Sequence, residues 1–290
     1  MAQTIVRFTG ADGGQIVGHA VGPDHGPCVL LAHGGGQTKR TWAKTLDQLA
    51  EAGYRAVAID LRGHGESDWA QNGAYDTTDF AADLLSVCDR LGVRPHLVGA
   101  SLGGLAGLLA EGQLRPGSLA SLTLVDIAPN VSSAGVDRIV GFMQKHMDTG
   151  FASLDEAAEV IAAYTPNRAR RGPSDGLQHY LRLGPDQRYR WHWDPAFISN
   201  VHVQIQSSTE RAVLMDAAVA ALNLPVHLIR GATSDLLTQD AADAFRQSVP
   251  GLVYSDIEGA GHMVVGDRND AFSGAILQFL NQQPSNIAQA

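Results

Sequence analysis

The chain has 290 residues and 44% hydrophobic composition, enough for a large core and suited to one α/β domain carrying an insertion. A formal net charge of -9 and a sequence pI near 5.6 exclude a phosphate-seeking surface, and the densest basic cluster is only Arg168-Ala169-Arg170-Arg171. Nucleic acid is therefore not an expected partner.

The N-terminus, Met1 to Phe8, lacks a charged segment followed by an apolar one, and no apolar run has the length that spans a bilayer, so a soluble, cytoplasmic protein is expected. Thr4 to Phe8 and Gln15 to Val21 alternate around Gly10-Ala11-Asp12-Gly13-Gly14, which predicts an antiparallel hairpin. Cys28-Val29-Leu30-Leu31-Ala32 is continuously apolar, as a strand buried on both faces of a parallel sheet is, and it ends in His33-Gly34-Gly35-Gly36. Helical periodicity covers about Trp42 to Ala52. A second buried strand, Arg55 to Asp60, leads into Leu61-Arg62-Gly63-His64-Gly65-Glu66-Ser67, and Thr78 to Leu91 again has the 3.6-residue period. Cys28 and Cys88 show no CxxC or Cys/His ligand spacing and read as reduced core residues.

The strand ending at Val98 turns at Gly99-Ala100-Ser101-Leu102-Gly103 into a helix marked by Leu102, Leu105, Leu108 and Leu109. A serine at so tight a turn needs glycine neighbours, because a Cβ there would collide with the crossing strand and helix. Its oxygen then stands at a helix N-terminus with the Leu102 amide beneath it, where an oxyanion is stabilised. Leu122 to Asp126 is the next strand. The strand and helix alternation then stops until Val226-His227-Leu228-Ile229-Arg230, and the mostly helix-like stretch between reads as an inserted cap. Gln239 to Val249 is a helix, Leu252 to Ile257 a strand and Ala271 to Leu280 a closing helix, with a polar tail after it. The boundaries are 1–129 and 217–290 for the core and 130–216 for the cap.

A serine hydroxyl needs a base within hydrogen-bond reach, and the base needs a carboxylate to orient it. His262 follows the strand Leu252 to Ile257, Asp235 follows the strand before it, and Asp126 ends a third strand near Ser101. The chain order Ser101, Asp235, His262 is that of the nucleophile-elbow hydrolases.

With HGGG, DLRGHGES, GASLGG, VDIAP, RGATSD and GAGHM in this order, nearly the whole chain resembles the α/β-hydrolase superfamily, in the serine branch with a helical cap after the sixth strand. The resemblance implies a mostly parallel eight-stranded sheet with helices on both faces. It makes Ser101 the nucleophile, His262 the general base and then acid, and Asp235 the carboxylate that holds the imidazole. Asp126 is the other candidate, since some members place the acid there. The oxyanion hole would use the amides of Leu102 and Gly35, with Gly34 the alternative in a different esterase group. Asp60 is expected to satisfy backbone amides rather than do chemistry. Where relatives carry a bulky side chain this chain has Gly35 and Gly36, which predicts extra room for an acyl group.

In the cap, Phe142, Met143, Trp191 and Trp193 are candidates for an apolar roof over a hydrophobic substrate, although cap-to-core packing would place the same residue types there. No metal site, dinucleotide fingerprint or nucleotide cradle is indicated, so no cofactor is expected. A serine in place of the aspartate of epoxide hydrolases and haloalkane dehalogenases disfavours those chemistries. The expected reaction is hydrolysis of a carboxylic ester through an acyl-enzyme. A lactonase, a carbon-carbon bond hydrolase, a cofactor-free perhydrolase of the haloperoxidase type and, in another class, a small-molecule receptor are the alternatives. The sequence does not specify an oligomeric state.

Overall fold

The computed structural model describes residues 3–164, 177, 180–199, 208–262 and 269–283. Its sheet has eight strands: β1 (Thr4–Thr9), β2 (Gln15–Val21), β3 (Cys28–Ala32), β4 (Arg55–Ile59), β5 (His96–Ala100), β6 (Ser121–Val125), β9 (Val226–Gly231) and β10 (Val253–Ile257), in the spatial order β1-β2-β4-β3-β5-β6-β9-β10. The β1/β2 hairpin joins β4 antiparallel, and every pairing from β4 to β10 is parallel. Every residue of β3, β5, β6 and β9 is buried, which is why those segments read as mostly apolar runs rather than strictly alternating ones.

The helices in chain order are α1 (Ala43–Glu51), α2 (Thr77–Leu91), α3 (Leu102–Leu109), α4 (Ser133–Gln144), α5 (Leu154–Tyr164), α6 (Ser208–Ala220), α7 (Gln239–Ser248) and α8 (Asn269–Leu280). The two-residue period of the strands sorts their side chains into two cores. Val29, Leu31, Val98 and Ile229 pack with Leu46 and Leu49 of α1 and Phe272, Ile276 and Phe279 of α8. Leu30, Val57, Leu97, Leu122 and Leu228 pack on the opposite face with α2, α3, α6 and α7. Each large side chain so buried stabilises the fold by roughly 1.5–3 kcal/mol. The start of α2 is fixed by a capping box between Asp76 and Asp79, and its end by Gly92 at φ 69°.

The insertion contains α4 and α5, and it also contains a hairpin where the sequence pattern suggested mostly helix. Strands β7 (Leu181–Leu183) and β8 (Tyr189–Trp191) pair antiparallel around Gly184-Pro185-Asp186-Gln187. The Gly184 amide donates to Arg188 O at 2.8 Å, and Gln187 takes a φ of 59°. The signal is the alternation Leu-Arg-Leu and Tyr-Arg-Trp about a Gly-Pro-Asp turn. The expected cap boundary at 216 falls inside α6, which lies along α3 and the turn after it: a Cβ on Gly112 would meet the Ala218 backbone oxygen.

The loop after β4 is held by buried charge pairs. Lys39 Nζ donates to Asp60 at 2.5 Å and to Glu66 at 2.6 Å, while Arg62 grips Asp83 through Nε at 2.6 Å and a terminal nitrogen at 2.7 Å. Asp60 also accepts the amides of Lys39 and Glu66, the structural role expected for it. This scaffold seats Gly63-His64-Gly65 against the serine side of the sheet.

Candidate active site

Ser101 sits at φ 46° and ψ −112°, in the left-handed half of φ space that side chains seldom adopt, between the last residue of β5 and the first of α3. The turn is possible because its neighbours lack side chains: a Cβ on Gly99 would stand 2.5 Å from Gly103 O, and one on Gly103 would stand 2.5 Å from Ala32 O. The Ser101 amide donates to Val125 O at 3.1 Å, and the Gly103 amide to His33 O at 3.2 Å. The serine is thereby tied to the ends of both neighbouring strands.

The loop after β3 lies directly on it, since a Cβ on Gly34 would be 3.2 Å from that of Ser101. Three consecutive glycine amides are available there, and two have partners. Gly34 N donates to Gln37 Oε1 at 3.1 Å, and Gly36 N donates to His64 Nε2 at 3.1 Å. Among the described residues, the amides of Gly35 and Leu102 carry no hydrogen bond. His33 Nδ1 donates to Gly34 O at 2.8 Å, the far end of the same peptide unit whose N–H belongs to Gly35. A trans peptide points its N–H opposite to its C=O, so this bond aims the Gly35 amide. The Leu61 amide donates to His33 Nε2 at 3.0 Å, which fixes the ring's tautomer.

Asp126 follows β6 at φ 50° and is fully buried. Its Oδ1 accepts from the Gly231 amide at 2.9 Å, and its Oδ2 accepts from Ser234 Oγ at 2.5 Å and from His262 Nδ1 at 2.7 Å. With Nδ1 donating to a carboxylate, a neutral His262 has its lone pair on Nε2, the arrangement a base requires. The carboxylate at His262 is thus Asp126 rather than the expected Asp235. Asp235 is half-exposed and pairs with Arg138 of α4, at 2.8 Å to Nε and 3.1 Å to a terminal nitrogen. The reason is local: in the turn Thr233-Ser234-Asp235, Ser234 faces inward and its neighbour outward, while buried Leu236 and Leu237 anchor the loop.

The cap reaches the same loop. A Cβ on Gly35 would lie 3.2 Å from Phe197 Cζ, and one on Gly36 would lie 2.9 Å from Met143 Cε and 3.4 Å from Trp193 Cζ3. The space that the two glycines open is therefore filled by cap side chains, and the expected extra acyl room is not there. Of the cap candidates, Met143 and Trp193 touch the loop after β3. Trp191 stacks on Trp193 at 4.7 Å, and Phe142 stacks on Tyr164 at 4.0 Å, one layer further out.

Sequence reasoning did not single out Phe197, His192 or Ser234. His192 accepts the Gly65 amide at Nδ1, at 2.8 Å, and donates from Nε2 to Gly36 O at 3.3 Å. Tyr75 donates to Asp194 Oδ2 at 2.6 Å, and the Asp194 amide donates to Gly63 O at 2.9 Å, so the aromatic arm is pinned to the core. Burial pushes the His33, His64 and His192 imidazoles down, His64 to about 3, with each of the last two further lowered by a neighbouring histidine. His33 and His64 lie next to glycines in the sequence, whereas His192 sits between Trp191 and Trp193 with no such mark. Among the described residues no cluster of His, Cys, Asp or Glu could hold a metal, and no helix is long and apolar enough to cross a membrane.

The sequence model of the alpha/beta hydrolase family matches residues 29–275. The RutD protein of Variovorax paradoxus, named for carbamate hydrolysis, is 43% identical over 221 residues, covering 74% of this chain and 77% of that protein. An esterase of Mycobacterium tuberculosis is 29% identical over 250 residues, covering 83% and 78%. Among solved structures, an alpha/beta hydrolase from Novosphingobium aromaticivorans superposes with a TM-score of 0.80 at 25% identity, over 97% of this chain and 99% of that one.

Proposed function

The chain belongs to the alpha/beta hydrolase family and is a hydrolase, and we propose that it cleaves the carboxylic ester of a small hydrophobic substrate through an acyl-enzyme on Ser101. The observation that carries this reading is the pair of undonated amides, Gly35 and Leu102, on either side of a strained serine. Gly35 and Leu102 are half-buried, and two amides left open beside the serine, one of them the first of α3, suit a charge that exists only during reaction.

In the proposed sequence Ser101 Oγ attacks the ester carbonyl while His262 Nε2 takes its proton. The carbonyl oxygen becomes an oxyanion held by the Gly35 and Leu102 N–H groups. Collapse breaks the bond to the alkoxy oxygen, which leaves as the alcohol with the proton from His262. A water then attacks the acyl-serine, giving a proton to His262, and collapse of this second intermediate breaks the acyl–Oγ bond, releasing the acid while His262 returns the proton to Ser101 Oγ. Asp126 holds the imidazole throughout and balances its transient positive charge. The apolar wall of Phe197, Met143 and Trp193 favours a short, uncharged acyl group.

The test is p-nitrophenol release from short and long acyl esters by the wild type and Ser101→Ala. Repeated turnover that drops on the order of 10⁴-fold or more in the variant supports the reading. Absence of turnover, or its retention in Ser101→Ala, contradicts it. The same machinery would act on a carbamate, the bond for which the 43% identical relative is named, and a p-nitrophenyl carbamate in the same assay separates the two.

A further inference from the structure

Ser234 is buried at the start of the loop whose aspartate drew attention in the sequence, and its hydroxyl is fully committed. The amides of Leu236 and Leu237 both donate to Oγ, each at 3.2 Å, so its lone pairs are occupied. Its proton goes to Asp126 Oδ2 at 2.5 Å, and a carboxylate oxygen can only accept, so the direction of that bond is fixed. The same oxygen accepts from His262 Nδ1. Two donors thus converge on one oxygen, while among the described residues the Gly231 amide holds the other.

We infer that Ser234 is a positioning residue for His262, setting both the plane of the Asp126 carboxylate and the strength with which Oδ2 holds the imidazole. The inference rests on the reading of His262 as the base. A short hydroxyl-to-carboxylate bond is charge-assisted and withdraws density from the shared oxygen. With it present, Asp126 steadies the imidazolium without over-stabilising it. With it removed, Oδ2 keeps, among the described residues, the imidazole as its side-chain donor, the pair tightens, and His262 keeps its proton to higher pH. The carboxylate also loses one of the three anchors that stop it from turning. Among the described residues the nearby charges have partners of their own, Asp235 with Arg138 of α4 and Arg230 with Asp256 of β10, while His262 pairs with Asp126.

The experiment compares Ser234→Ala, Ser234→Thr and Ser234→Cys in the full chain by two readouts: the imidazole titration of His262 followed by NMR on histidine-labelled protein, and the acid limb of kcat/KM. Ser234→Ala is expected to move both upward by about half to one pH unit, with kcat lowered and KM little changed. Ser234→Thr keeps the donor and is expected to titrate as the wild type does. Ser234→Cys keeps the bulk with a weak donor and is expected to fall between them. An unmoved His262 titration in folded Ser234→Ala overturns the inference. Should the alanine variant not fold, an unmoved titration in Ser234→Cys does the same. Because the NMR titration needs no substrate, it decides the role of Ser234 even if no ester is turned over and the esterase reading fails.

Discussion

Phe197 of the cap rests its ring edge on the backbone of Gly35, with Cζ 3.2 Å from where a Cβ of that residue would stand. The ring is held from behind by Tyr75, Phe80 and His64, with centroids at 5.9, 5.9 and 4.8 Å. It is therefore a fixed wall and not an adaptable one.

Phe197→Ala and Met143→Ala should each lengthen the preferred acyl chain. The ratio of kcat/KM for a long over a short p-nitrophenyl ester is expected to rise roughly tenfold or more, the scale on which pocket methylenes discriminate. An unchanged ratio in both variants would remove these residues from the acyl wall.

The two carboxylates should separate cleanly in function. Asp126→Asn is expected to lower kcat by on the order of 10³–10⁴-fold, because the imidazole loses its tautomer and orientation. Asp235→Asn breaks an exposed pair with Arg138 and should stay within about threefold of the wild type. Steady-state kinetics on one ester check both, and a reversal of the two effects would return the acid to the loop after β9.

Acid should weaken the fold through buried imidazoles before it reaches the carboxylates. Burial lowers His33, His64 and His192, and also His96 and His227, each of the last two to about 4. The unfolded chain binds these protons near pH 6.5 and the folded chain only well below it, so unfolding takes up protons as pH falls. Stability should therefore be fully present above about pH 6.5 and decline from there, by up to about 1.4 kcal/mol per pH unit for each ring in its window. Urea midpoints at pH 8, 7, 6 and 5 test this, and a flat series from 7 to 5 contradicts it.

Lys39→Met should destabilise the fold by about 3 kcal/mol or more, since it strands the carboxylate of Asp60 in a fully buried position. Replacing Glu66, the exposed end of the same triad, with Gln should have a much smaller effect. Equilibrium urea unfolding of both variants gives the comparison.

The sheet was legible because Cys28–Ala32, His96–Ala100 and Val226–Gly231 are buried on both faces and show it as mostly apolar sequence without strict alternation. The turn at Ser101 was equally readable, since a strained turn can be built only from certain residues. Other features depend on the direction in which a turn faces, and spacing does not encode that. Asp126 and Asp235 both lie just beyond strands, and the inward set of Ser234 decides which of them meets His262. Gly35 and Gly36 announce that something comes close without saying what. The sequence suggested an acyl group, whereas Phe197 and Met143 occupy the place. The β7/β8 hairpin was masked by the helix-like pattern around it.

The arm from Trp191 to Phe197 is bonded to Gly36, Gly63 and Gly65, and on the other flank the Ser132 amide donates to Leu236 O while Arg138 grips Asp235. Val140, Met143, Phe151, Trp191, Trp193 and Phe197 belong to the same apolar cluster as Leu30 and Leu122 of the sheet. Among the described residues the insertion thus shows no separate core of its own and should not come apart first on heating. A calorimetric scan is expected to show one heat-absorption peak for roof and sheet together, so that ligand exchange must proceed by small local breathing rather than by release of an independently melting lid.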